Sequence, residues 1–118
     1  MKFRNDSPIY IQIEEYVREN ILKGKWRQED RVPSIRDLAV EMEVNPNTVM
    51  RAYSDLQDHD IIYNKRGIGY FIEMDAKKRV LEKEKEKFLE KQLPRLFAKM
   101  NLLNINFLVL GVAKVEYQ

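Results

Sequence analysis

The chain has 118 residues, room for one compact domain and a short appendage. It has no cysteine, which excludes disulfides and thiolate metal sites, and a single histidine, which leaves little for imidazole chemistry. The net charge of +2 is unevenly placed: residues 1–75 carry 11 Lys/Arg against 14 Asp/Glu, and residues 76–118 carry 10 against 5. Bulk charge therefore makes no case for nucleic acid in the first segment. Any such case must rest on local placement, because screening limits reach to about 8–10 Å at cellular salt. No apolar run approaches the roughly 20 residues of a membrane span. The opening residues lack the apolar core of a secretory signal. With the missing cysteines, this points to the cytoplasm.

In chain order, the first helix is expected from about Pro8 to Lys23. Ser7 is the expected cap, Ile9, Ile13, Tyr16, Val17 and Ile21 form the apolar face, and Gly24 is the stop. A short second helix follows Pro33, with Ser34 as N-cap and Ile35, Leu38, Ala39 and Met42 at helical spacing. Glu43-Val44-Asn45 forms a turn. A third helix then opens on Asn45 and Pro46, with Val49, Ala52, Tyr53 and Leu56 inward. After Asp60 the period changes. Ile61 to Lys65 reads as a strand, Arg66-Gly67-Ile68-Gly69 as a tight turn and Tyr70 to Glu73 as the returning strand.

From Asp75 the composition shifts to Lys and Glu, giving an exposed helix over Ala76 to Lys91 with an apolar edge at Val80, Leu81, Phe88 and Leu89. Pro94 is expected to bend or break it near Gln92. Leu96, Phe97 and Met100 resume a helical pattern. Asn104 to Tyr117 fits helix or strand, with helix preferred. The fold class is thus mainly α with a small β-hairpin wing: a winged helix-turn-helix over residues 1–75 and a helical dimerisation tail over 76–118.

Two short helices across a three-residue turn form the unit that reads DNA grooves. At 100° per residue, Asn47, Arg51 and Ser54 fall opposite the apolar face of the third helix. Arg can bond guanine bidentately, Asn can do the same with adenine, and Thr48 can reach a phosphate or a thymine methyl. Arg51 is the only charged residue between Val44 and Ser54. Helix N-terminal partial charge adds to it. Arg36 would lie over the backbone, and Lys65 and Arg66 beside Gly67 form a basic wing tip suited to a minor groove.

The runs Asp6-Ser7-Pro8-Ile9-Tyr10 and Arg31-Val32-Pro33-Ser34-Ile35-Arg36-Asp37-Leu38-Ala39 are followed by Val44-Asn45-Pro46-Asn47-Thr48-Val49 with Arg51-Ala52-Tyr53. Arg66-Gly67-Ile68-Gly69-Tyr70-Phe71 comes last. In this order the set resembles the GntR family of bacterial regulators, in its YtrA-like branch. The resemblance implies DNA contacts at Arg36, Asn45, Asn47, Thr48, Arg51, Lys65, Arg66 and Gly67. It also implies a homodimer joined by the tail, a double-stranded operator, a repressor role and control of an ABC transporter operon. The chain departs from the family twice: Glu43 stands where a turn glycine is usual, and Met50 where many relatives outside the branch carry arginine.

Phe88, Leu89, Leu93, Leu96, Phe97, Phe107 and Leu110 exceed what a solvated tail needs, and a second subunit is the simplest cover. The tail is short for an enclosed ligand domain. The residues specify no cofactor, metal or effector. His59 between Asp58 and Asp60 does not make a metal site, because neighbours on a helix point apart. Without a Gly-rich phosphate loop or a Ser/His/Asp set, an enzyme is excluded. The competing reading is a winged helix that binds protein, which the acidic balance of residues 1–75 permits.

Overall fold

The helix α1 (Ile9–Leu22) begins directly after Pro8, whose extended backbone occupies the N-cap position with no side-chain cap bond. Ser7, the expected cap, stands one position too early. Its hydroxyl is buried without a partner, and its carbonyl accepts a 2.8 Å bond from Gln12 Nε2. Gln12 is buried and also bonds both the N–H and the carbonyl of Arg4, which clasps the N-terminal arm onto the helix. Ile13, Val17 and Ile21 form the core face, while Ile9 lies on its exposed margin. Gly24, at φ +77°, ends the helix as its freedom from a Cβ permits. This computed structural model describes residues 2–106 and 108.

The second helix, α2 (Ile35–Met42), is capped by Ser34 Oγ, which accepts from the Asp37 N–H at 3.0 Å. It stops on Glu43 at φ 57° and ψ 49°, a left-handed residue where glycine costs nothing. The Val44 N–H then bonds the Ala39 carbonyl at 3.0 Å, which closes the turn. Glu43 is exposed, so its side chain contributes little to set against the backbone cost. Glu43→Gly is expected to raise unfolding free energy by about 0.5–1 kcal/mol in a urea titration. An unchanged or lower midpoint would contradict this account of the turn.

The third helix, α3 (Pro46–Asp58), carries Pro46 in its first turn, and Asn45 Oδ1 accepts from the Asn47 N–H at 2.8 Å. Val49, Ala52, Tyr53 and Leu56 are buried against α1 and α2. The Tyr53 hydroxyl donates to the Pro33 carbonyl at 2.7 Å, tying α3 to the segment that launches α2.

Strands β1 (Ile62–Lys65) and β2 (Gly69–Ile72) pair antiparallel, with Ile62 opposite Ile72 and Lys65 opposite Gly69. A short edge joins them that the sequence pattern did not announce. Arg31 bridges Phe71, Val32 donates to the Tyr70 carbonyl and Ile72 donates to the Asp30 carbonyl. A single bridging residue has no alternation to betray it. Ile61, Ile62 and Ile72 complete a core shared with the three helices.

The helix α4 (Ala76–Lys87) follows, and its Ala76 and Val80 are buried in that same core. The first compact unit accordingly runs Met1–Leu81, past residue 75, and the second runs Glu82–Gln118. Pro94 was expected to bend or break the helix near Gln92. The regular α-helix does break there: Phe88–Gln92 form a wide π-helical turn, and α5 (Leu93–Leu102) continues from it. Proline has no N–H to give the carbonyl four residues back, and its ring presses on that carbonyl. The turn before the proline is widened accordingly: the Leu93 N–H bonds the Phe88 carbonyl, five residues back. Residues 104–106 are not helical, and Phe107, Val109, Leu110 and Val115 lie outside the described residues.

Candidate nucleic-acid interface

The N-terminal half of α3 divides by solvent. Asn45, Asn47 and Arg51 are exposed and Thr48 is half-buried, while Val49 and Ala52 beneath them are sealed. The cap consumes the Oδ1 of Asn45, which leaves its amide nitrogen to face a ligand. Met50 is also exposed, on the flank. Arg36 is exposed in the first turn of α2. Lys65, Arg66 and Gly67 stand exposed at the hairpin tip, carried by a separate element, and Gly67 takes φ +77° there. The structure thus gathers four of the eight expected residues on or beside one helix and carries Arg36 and the wing residues on other elements.

Two partners of this surface were not found from sequence. Tyr10, in the first turn of α1, lies beneath Arg51. The guanidinium carbon is 3.8 Å from the ring centroid, and Nη2 donates to the tyrosine hydroxyl at 3.1 Å. Forty-one residues separate the pair, and only a polar-tipped aromatic at the rim of the α1 stripe hinted at it. Arg31 lies against the start of β2: a Cβ on Gly69 would come within 2.9 Å of its Nε. The φ of +149° by itself calls for glycine there, and the flexible end of Arg31 rests where a Cβ would stand, a further exposed cation beside the wing. The Lys65 ammonium sits 5.3 Å from the Phe71 ring centroid, along the hairpin's own face.

Between α1 and α3 lies a buried carboxyl, Glu14, with Arg18 Nη1 at 3.7 Å. Burial pushes Glu14 up to about 7; the charge of Asp55 pushes the same way, and Arg18 opposes both. The folded chain therefore holds a proton here that the unfolded chain releases near the ordinary value of 4.5. Stability from this group is full below that value and is lost as pH rises through about 7. Glu14→Gln should make the protein more stable than the parent at about pH 8, by about 1–3 kcal/mol, and nearly equal at about pH 4. Parallel stability–pH curves would refute the assignment.

Residues 9–72 match the family of bacterial regulatory proteins described as gntR. The chain belongs to the GntR family. The matched family is one of bacterial regulatory proteins, and the first two relatives below are named as transcription regulators. The HTH-type transcriptional repressor YtrA of Bacillus subtilis (strain 168) is 40% identical over 93 residues, which cover 79% of this chain and 71% of YtrA. A GntR-family transcriptional regulator from Listeria monocytogenes superposes with a TM-score of 0.77 at 33% identity, covering 98% of this chain and 99% of that one. The AraR DNA-binding domain, solved with operator DNA, matches 60% of this chain and 92% of its own length, at 25% identity and a TM-score of 0.57. The mostly helical fold with its two-stranded wing is therefore a GntR winged helix. Among the described residues, no helix is long and apolar enough to cross a membrane.

Proposed function

We propose that this GntR-family chain is a cytoplasmic repressor that binds a palindromic operator as a homodimer joined through its tail. The observation that carries the reading is the outward stripe of Asn47 and Arg51 over a sealed apolar face. In it, Asn47 and Arg51 read base edges in the major groove, and Thr48 and the Asn45 amide hold the flank. Arg36 anchors a phosphate, and Lys65 and Arg66 with Gly67 engage the neighbouring minor groove.

The dimer reading is supported by apolar side chains in solvent: Phe88, Leu89, Leu96 and Phe97 are each more than two-fifths exposed. Leu93 is half-buried beside them, and Phe107 and Leu110 complete the expected set outside the described residues. Two linked winged helices read two half-sites, which multiplies affinity by effective concentration. The name of the Bacillus relative favours repression, and the YtrA-like resemblance favours an ABC transporter operon as target.

Selection from a random-sequence duplex pool, followed by a salt titration on the winning duplex, tests the reading. Arg36 of both protomers would neutralise two phosphates and the wing cations, between the strands at the minor groove, up to four more, for a log–log slope between about −2 and −5. No enrichment, or binding indifferent to salt, would instead favour a protein-binding winged helix, as the acidic balance of residues 1–75 allows.

A further inference from the structure

We propose that Tyr10 is a positioning residue for Arg51, fixing the guanidinium so that selection among DNA sequences passes through a preorganised arginine. This rests on the reading of Arg51 as a base-reading residue. The ring offers two contacts to one flexible side chain: its face, 3.8 Å from the guanidinium carbon, and its hydroxyl, 3.1 Å from Nη2. Together they fix where the planar group sits and how it is turned. An arginine carries five N–H donors in a rigid fork. Contact through one face and one donor leaves the other N–H donors unused by Tyr10, and two of them on one edge are what guanine O6 and N7 require.

Tyr10 is itself held. It is half-buried and packs on the core from the first turn of α1, the helix that lies along α3. The arginine is therefore aimed by two helices, one of which needs no base contact of its own. Rotamer freedom given up before DNA arrives is not lost on binding, so the ring favours the complex without touching it. The phosphate-facing cations Arg36, Lys65 and Arg66 have no part in this pair. The effect should fall on selectivity and spare general affinity.

The test is a double-mutant cycle on the full chain: Tyr10→Leu and Tyr10→Phe, each with Arg51 intact and with Arg51→Ala. Each protein is titrated with the duplex enriched by the parent and with a scrambled duplex. Tyr10→Leu should lower the preference for the enriched duplex by about 3- to 30-fold. Tyr10→Phe, which keeps the ring, should lower it less. Binding to the scrambled duplex should hold, and both effects should vanish once Arg51 is alanine. Equal losses in both backgrounds would make Tyr10 a general packing residue and overturn the proposal. A gain in preference for Tyr10→Leu would show a ring that holds the arginine away from DNA, and would overturn it too.

A second readout needs no DNA. The Arg51 side-chain protons should be shifted upfield by the ring in the parent NMR spectrum and return in Tyr10→Leu; unshifted protons in the parent would refute the pairing. If Arg51→Ala alone keeps the parent's preference, the base-reading role of Arg51 has failed and the role of Tyr10 falls with it. That failure appears in the Arg51→Ala arm and nowhere else.

Discussion

Arg51→Ala is expected to remove much of the discrimination between operator and random DNA while leaving the fold and most non-specific binding in place. The side chain is exposed and rests on the surface of Tyr10, so its loss opens no cavity. It is the one charge between Val44 and Ser54, on the outward side of α3, so no neighbouring cation can replace it there. A bidentate arginine–guanine contact discriminates by about 1–3 kcal/mol, and the proposed dimer would lose it in both half-sites. Non-specific attraction depends on phosphates and is shared with Arg36, Lys65 and Arg66, so it should fall by little. A gel-shift competition measures both quantities. A preserved operator preference would remove Arg51 from the reading face.

A comparable loss is expected from the tail. Leu89 is 60% exposed and Leu96 47% exposed in the single chain, so a glutamate at either position costs the isolated protomer little. If these side chains are the seam between protomers, Leu89→Glu with Leu96→Glu places four carboxylates in it, which repel one another and resist desolvation. The expected product is a monomer by light scattering at about tens of micromolar. Its operator affinity should drop by about 10²–10⁴, the gain that linkage of two sites confers. A double variant that remains dimeric would place the interface elsewhere.

Most of this architecture can be read from spacing. Caps at Ser34 and Asn45 and four-residue apolar sets fix where two short helices start and which face they bury, because local bonds decide them. Glu43 shows the same locality: the turn demands a left-handed residue whatever occupies it. Ser7 misled because proline can follow or form a cap, and only the arm's fold against Gln12 settles which. The bridge at Arg31, the Arg31–Gly69 approach and the Tyr10–Arg51 pair join residues distant in sequence, which no periodicity encodes. Of the reading face, α3 was legible because one side of a helix must be apolar and the other wet. The cation beside the wing was not, because its position depends on tertiary packing.

The wide turn at Phe88–Gln92 has a consequence for any registry counted in sevens. It spends one residue more than an α-helical turn, so every side chain after Gln92 is delayed by about one position, or about 100°. Leu89 and Leu96 have heptad spacing, yet the delay turns them apart around the axis, so a seam that holds both must follow that sidestep. A partner matching this stretch cannot be a straight repeat laid alongside it; its own knobs must step sideways at the height of Pro94.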